Sequence, residues 1–266
     1  MRAASLIGLL AVFVSAASLA QRPLFDTHLH DNAVDAQAPG TILEILARNG
    51  IERAVVTSIP PERVLALYRL APGRIVPLLG VYRSPAEKVH WHADPDLPNR
   101  VAASLAAGPW RGIGELHLFA GQRHSPVFRR LVELAVAHDH VLLLHADPAV
   151  IDRVFELAPQ ARVIWAHAGA YPYPPLLEDY LDRYPGLYID LSMREARIAP
   201  DGRLDPAWET LLIERADRFL VGVDTFSAAR WRDYDRVAGQ IRAWLEQLPA
   251  DVAQAIASGN ARRLFP

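Results

Sequence analysis

Short apolar runs alternate with amphipathic stretches along most of the chain, which has 266 residues. Eight of the runs have the length and composition of buried strands: 23–30, 51–59, 74–82, 111–119, 140–147, 161–169, 187–193 and 218–224. The other stretches have the apolar spacing of helices: 41–50, 61–70, 99–107, 126–138, 148–158, 174–184, 205–216, 230–247 and 251–258. Strands that alternate with helices predict right-handed crossovers and a parallel sheet. Eight such units predict closure into a single-domain (β/α)8 barrel of the TIM type.

An open, doubly wound sheet is the competing architecture. Such a sheet usually carries a glycine-rich phosphate loop after its first strand. The segment "HLHDNAVDAQAPG", which follows the first predicted strand here, does not have that composition. We therefore predict that residues 21–266 form the barrel.

The first twenty residues have the layout of a secretory signal peptide. Arg2 precedes an apolar run over residues 6–14, and small residues lead to Ala20. The run is too short to span a bilayer comfortably, and no other stretch is apolar enough for a membrane helix. An uncleaved anchor or a plain N-terminal helix is the alternative. We expect cleavage after Ala20 and an exported protein, periplasmic or secreted, that leaves the membrane after cleavage.

The composition limits the metal ligands and the partners that can be expected. The chain has no cysteine, so it forms no disulfides and any metal site must use His, Asp or Glu. The formal net charge is −2, with both signs mixed throughout and no basic stripe, so nucleic acid is not an expected partner. A small-molecule substrate is expected, and the sequence leaves the oligomeric state open.

Polar residues occupy the ends of five predicted strands, where a (β/α)8 barrel carries its chemistry. In the segment "FDTHLH", strand alternation predicts that Asp26, His28 and His30 share one face. The same spacing puts Glu115 and His117 on one face of strand four. The full set of predicted metal ligands is His28, His30, Glu115, His145, His167 and Asp224.

Imidazole and carboxylate groups are ligands for a borderline divalent ion such as zinc. Each residue has a structural interpretation too: a histidine in a hydrogen-bonded core, Asp224 as a helix N-cap, or Glu115 paired with a buried arginine. Crowded at one pole of the barrel without a metal, these groups would suffer desolvation and repulsion. Together they predict one or two divalent ions, with zinc expected and manganese as the alternative.

Several segments resemble those of the amidohydrolase superfamily, in particular its amidohydrolase-related branch. They are "FDTHLH", "GIGELH", "LLLHAD", "VIWAHAG", "VGVD" and the closing "ASGNARRLF". The resemblance implies a (β/α)8 barrel with one or two divalent metals. It also implies the ligand roles of His28, His30, His145, His167 and Asp224. The role of Glu115 is left open. It resembles a bridging ligand of binuclear members, whereas many members of this branch bind a single metal without such a residue.

These ligands predict a hydrolase that uses a metal-activated water to cleave an amide, ester, lactone or phosphoester bond. Asp224 is the predicted proton acceptor. His167 is predicted to polarise the substrate carbonyl in a mononuclear site, or to bind the second ion in a binuclear one. A metal-dependent decarboxylase and a non-catalytic metal-binding barrel remain as alternatives.

The loops say less about the substrate. Residues 83–98, with the segment "HWH", are predicted to form a lid or solvated loop, with Trp91 over the substrate. His117, Tyr171 and Arg194 are candidate substrate contacts. The strand parity of Trp165 is that of His167, which predicts that its side chain fills the lumen.

Overall fold

Eight parallel strands lie side by side in chain order in this computed structural model, which describes residues 22–266. The strands are β1 Leu24–His30, β2 Ile51–Thr57, β3 Ile75–Leu79, β4 Gly112–Leu118, β5 Val141–Ala146, β6 Arg162–Trp165, β7 Leu187–Asp190 and β8 Phe219–Leu220. The predicted signal peptide, residues 1–20, lies outside the described residues.

Helices fill the connections between the strands and follow the last of them. They are α1 Pro39–Arg48, α2 Glu62–Leu70, α3 Leu97–Ala107, α4 Pro126–Ala137, α5 Pro148–Leu157, α6 Pro174–Arg183, α7 Glu195–Ile198, α8 Pro206–Glu214, α9 Ala228–Arg232, α10 Tyr234–Leu245, α11 Ala250–Gln254 and α12 Asn260–Leu264. Between residues 22 and 266, no helix has the length and apolar character needed to cross a membrane.

The chain after β8 closes the barrel against β1. The backbone N–H of Thr27 donates to the carbonyl of Val221 at 2.8 Å, and the N–H of Asp224 donates to the carbonyl of His28 at 2.7 Å. These bonds complete the ring of strands and place Asp224 beside the first strand. The predicted (β/α)8 barrel is thus confirmed.

The lumen is filled by apolar side chains from alternate strand positions, as barrel closure requires. This inner cluster includes Phe25, Val55, Val76, Leu78, Val141, Leu143, Ile164 and Leu220. Leu264 and Phe265 cover its lower end, where the rings of Phe25 and Phe265 are 6.3 Å apart. The polar side chains of the predicted site lie above this packing, at the C-terminal ends of the strands.

Two details of strand parity differ from prediction. In β1 the pairing register shifts between Asp26 and Leu29. Phe25 points into the lumen, whereas Asp26 points outward and accepts a 2.6 Å hydrogen bond from the Tyr234 hydroxyl of α10. The prediction that Asp26 shares a face with His28 is therefore wrong, because a bulge resets the alternation between them.

The predicted lumen position of Trp165 is also wrong. Its ring lies in the layer between strands and helices, next to Tyr180, and its Nε1–H donates to the Ala146 carbonyl at 2.8 Å. β6 ends at Trp165 rather than continuing to residue 169. The next residues form a turn in which His167 has φ 59°, so parity along the strand does not extend to that histidine.

Candidate metal centre

The six predicted ligands meet at the C-terminal pole of the barrel. They arrive on five different segments: His28 and His30 on β1, Glu115 on β4, His145 on β5, and His167 and Asp224 just beyond β6 and β8. All are buried except His145, whose side chain is partly exposed. The structure therefore brings together every residue that strand ends predicted for the site.

Four of these side chains point their ligand atoms at a common position. His28 Nε2 and His30 Nε2 are 3.1 Å apart, and Asp224 Oδ1 lies 3.3 Å from His30 Nε2 and 3.8 Å from His28 Nε2. The Glu115 carboxylate completes the group, at 3.5 Å from His30 Nε2 and 3.7 Å from His28 Nε2. Ligands of a tetrahedral zinc ion are separated by about 3.3 Å. The spacing therefore fits a divalent ion.

Asp224 gives an independent indication. Its Oδ1 atom is buried, yet it makes no hydrogen bond within residues 22–266. An unpaired buried carboxylate oxygen is costly. Asp224 Oδ1 faces the Nε2 atoms of His28 and His30, which is the position and chemistry expected of a metal ligand.

Glu115 also faces a second group of imidazoles. Its Oε1 lies 3.1 Å from His145 Nδ1 and 3.4 Å from His167 Nε2. His117 Nε2 is 3.5 Å from Oε2 of the same carboxylate, and Glu115, His117 and His145 have ligand-like spacing. Glu115 thus stands between two potential ion positions. The predicted shared face of Glu115 and His117 is confirmed.

Asp190 and Ser192 orient two of the histidines, a role that sequence reasoning missed. Asp190 Oδ2 accepts hydrogen bonds from His28 Nδ1 at 2.8 Å and from the Ser192 hydroxyl at 2.5 Å. The Ser192 hydroxyl uses its hydrogen in the bond to Asp190, so its Oγ accepts a hydrogen bond from His167 Nδ1 at 2.9 Å. Both imidazoles therefore carry their proton on Nδ1 and turn the Nε2 lone pair toward the pole.

The residues that position these groups have close backbone contacts. A Cβ atom at Gly222 would lie 2.7 Å from His28 Cβ and 2.9 Å from Asp190 Oδ1, so only glycine fits between them. Asp224, two residues later, has φ 58°, which turns its side chain back over the barrel mouth. Left-handed backbone at a residue other than glycine is uncommon and concentrates at functional sites.

The charges at the pole explain the pKa values of the ligands. Burial alone would lower the pKa of His28 and His30, but neighbouring carboxylates outweigh it and raise both above the ordinary 6.5. Burial would raise the pKa of Glu115, but the imidazoles around it hold that pKa well below 4.5. The site therefore concentrates negative charge that only protons or a cation can balance.

Trp91 and Arg194, two of the rim residues that the sequence placed near a substrate, make hydrogen bonds within the protein. Trp91 is buried and donates from Nε1 to the His117 carbonyl at 2.9 Å, so it fastens its loop to the end of β4. Arg194 donates from Nε and Nη2 to the carbonyls of His167 and Gly169, at 2.6 and 2.9 Å. Tyr171 is exposed at the barrel rim.

Comparison with known proteins agrees with this geometry. A family model described as amidohydrolase matches residues 25–266. The chain therefore belongs to the amidohydrolase family, which confirms the resemblance carried by its short motifs. No curated protein matches its sequence.

Solved structures share the fold at low sequence identity. An amidohydrolase from Burkholderia multivorans is 17% identical, with a TM-score of 0.60 over 91% of this chain and 98% of that one. A TatD homologue from Escherichia coli is 18% identical, with a TM-score of 0.67 over 91% and 97%. The 2,6-dihydroxybenzoate decarboxylase from Rhizobium is 15% identical, with a TM-score of 0.60 over 91% and 98%. These similarities establish the shared barrel, and the group includes more than one type of reaction.

Replacing Asp190 with asparagine tests its orienting role. Asp190→Asn keeps the shape but removes the charge that accepts the His28 Nδ1 proton, so we expect zinc affinity to fall by roughly 10- to 100-fold. Competition with a zinc-binding dye measures the change. The exposed substitution Asp201→Asn is the control and should leave the affinity unchanged. Equal affinities for the two variants would contradict the role.

The raised imidazole pKa values also predict a pH dependence. Protons compete with the metal for His28 Nε2 and His30 Nε2, and both pKa values lie above 6.5 without metal. As the pH falls through them, zinc affinity should weaken, and this loss should begin above pH 6.5. The dye competition repeated between about pH 8 and about pH 6 measures it. A constant affinity over that range would show that these nitrogens are not ligands.

Proposed function

We propose that this protein is an exported, divalent-metal-dependent hydrolase that acts on an amide, ester, lactone or phosphoester bond of a small molecule. The observation that carries the proposal is the buried Asp224 Oδ1, which faces His28 and His30 and makes no hydrogen bond within the described residues. A carboxylate in that position can serve both a metal and a reacting water. Membership of the amidohydrolase family supports the same chemistry.

His28, His30 and Asp224 would hold the ion, with Glu115 and the remaining histidines available for a second. Zinc is the expected ion and manganese the alternative, because the donors are imidazole and carboxylate groups. When bound, the ion supplies a Lewis acid and lowers the pKa of a coordinated water to about 7.

Asp224 is suited to accept the proton of the attacking water. Burial would raise its pKa, but the imidazoles of His28 and His30 outweigh burial and lower it to about 2. The carboxylate is therefore ionised at neutral pH and available as a base. It can then return the proton to the leaving group, which faces the same pocket.

His167 has two possible duties, which depend on the number of ions. Its Nδ1–H is held by Ser192, so its Nε2 faces the pocket with a lone pair that can bind a second ion together with Glu115 and His145. In a site with one ion, a protonated Nε2 would donate to the substrate carbonyl and stabilise the charge that develops on oxygen. Glu115, which lies between both groups, is the ligand whose role separates the two schemes.

Decarboxylation is the second candidate. The fold is shared with the Rhizobium 2,6-dihydroxybenzoate decarboxylase, whose reaction type the site residues do not exclude. Hydrolysis is favoured here because Asp224 is an ionised carboxylate whose Oδ1 makes no hydrogen bond within residues 22–266, which suits it to take a proton from water. Release of carbon dioxide from an aromatic acid would instead support the decarboxylase.

Export is part of the proposal and rests on the sequence. A charged start, a short apolar run and small residues up to Ala20 are typical of a cleaved signal peptide. The absence of cysteine is compatible with an oxidising compartment, since no thiol needs protection there.

The substitution Asp224→Asn tests the hydrolase. Asparagine keeps the side-chain volume but cannot accept a proton, so turnover should fall by roughly 10²- to 10⁴-fold, with metal retained or weakened. Zinc-loaded protein is assayed with 4-nitrophenyl acetate, 4-nitrophenyl phosphate and dihydrocoumarin, and metal content is measured in parallel. The exposed substitution Asp251→Asn is the control. Undiminished turnover in Asp224→Asn would rule out Asp224 as the base, and no turnover of any ester or lactone by the wild type would argue against the hydrolase.

A further inference from the structure

Lysine is almost absent from this chain. Of 28 lysine and arginine residues, Lys88 is the single lysine. It lies in the loop between β3 and α3, in a helical turn over Pro85–Val89. Sequence reasoning gave it no role, because a residue in an aperiodic loop has no predictable direction.

Lys88 lines the cavity above the metal centre. This cavity has a volume of about 320 Å³ and is bounded on one side by Glu115, His145, His167 and Asp224. Lys88 also borders a smaller space against His30 and His117. A substrate that reaches the catalytic pole therefore passes the lysine side chain.

The ammonium group has no carboxylate partner among the described residues. No ion pair or hydrogen bond of Lys88 is present within residues 22–266, although its side chain is half-buried. The adjacent Glu87 is engaged by Arg83, with Nε and Oε1 3.6 Å apart and the Arg83 backbone N–H bonded to Oε2 at 2.9 Å. Glu115 and Asp224 are directed at the histidines instead.

The loop holds Lys88 in a defined place. Trp91 is bonded to the His117 carbonyl and packs edge-on against Phe128 of α4, with ring centroids 6.4 Å apart. The Ser125 hydroxyl donates to the His92 carbonyl at 2.5 Å, which ties the same loop to the start of α4. Lys88 is therefore anchored from its C-terminal side, so a ligand does not have to order the loop.

Part of the cavity wall is apolar, alongside Lys88, His117 and Arg194. Met193 and Phe226 line it, and both are partly exposed in a position where solvent-facing apolar side chains are unfavourable. Arg194 shares this wall but directs two of its donors to backbone carbonyls. The unpaired cation and the apolar surface thus lie in one cavity and fit a ligand with both characters.

We propose that Lys88 binds a carboxylate or phosphate group of the substrate, whose apolar body packs against Met193 and Phe226. Lysine provides a compact point charge for an oxyanion that approaches from several directions, unlike the planar fork of arginine. As a description of the substrate this rests on the proposed hydrolase. As a description of what the cavity binds it does not depend on turnover.

Isothermal titration calorimetry on the zinc-loaded full chain tests the proposal. The probes are phenylacetate, benzylphosphonate and 2-phenylethanol, which share an aromatic body and differ in charge. We expect both anions to bind more tightly than the alcohol, and Lys88→Met to weaken the preferred anion roughly tenfold without affecting the alcohol. The anion that binds with the higher affinity indicates whether the natural group is a carboxylate or a phosphate.

Matched variants distinguish the lysine from other sources of affinity. Lys88→Arg should retain most of the anion binding, since the charge is kept. Arg69→Met removes a positive charge from an exposed position in the last turn of α2, outside the residues that line the cavity, and should leave all three affinities unchanged. If Lys88→Met binds phenylacetate and benzylphosphonate as tightly as the wild type, the anions bind the metal alone and the proposal is overturned.

A second measurement avoids substitution altogether. Reductive ¹³C-methylation labels Lys88 as the single lysine while preserving its charge, and the N-terminal amine gives a separate signal. The Lys88 methyl resonance should shift on titration with the preferred anion and stay in place with 2-phenylethanol. If neither the preferred anion nor 2-phenylethanol shifts the resonance, the proposal is overturned, whether or not the enzyme hydrolyses esters.

Discussion

Three buried carboxylates surround the imidazole of His28, and their charge sets the electrostatic demand that the site has to meet. Glu115, Asp190 and Asp224 all lie at the C-terminal pole, and His28 is close to each of them, at 3.7, 2.8 and 3.8 Å. Carboxylates in such a place repel one another and lose hydration, so they require buried positive charge. The pKa of His28 is raised for the same reason, because the neighbouring carboxylates favour a positive charge on its imidazole. A divalent cation satisfies it with the ligand geometry that is present.

The barrel makes this concentration of charge tolerable. Apolar residues such as Val55 and Leu143 fill the lumen beneath the site, and the helix layer packs around the strands. The predicted ligands are thereby gathered at one pole, where they come from five different segments of the chain. Because Asp190 and Ser192 hold the Nδ1 sides of His28 and His167, the lone pairs that face the pole are set by residues outside the ligand group itself.

Much of this arrangement follows from local sequence pattern, and the exceptions have physical causes. Within one short strand, spacing of two residues keeps His28 with His30 and Glu115 with His117. The pattern failed for Asp26, because a bulge intervenes, and for Trp165, because β6 ends there and the chain turns. Bulges and left-handed turns depend on backbone contacts between distant segments, which hydrophobic periodicity does not contain. The orienting role of Asp190 and the position of Lys88 are likewise visible only once the strands and loops are assembled.

We infer that His28 and His30, with the carboxylates around them, bind a divalent cation. Elemental analysis of full-length protein, purified without chelator or affinity metal, tests it most directly. The wild type should carry at least one divalent ion per chain, and a His28→Ala/His30→Ala variant should lose it. A second ion in the wild type would identify Glu115 as a bridge. A folded wild type without metal, or a double variant with the same metal content, would show that these residues do not form a metal site.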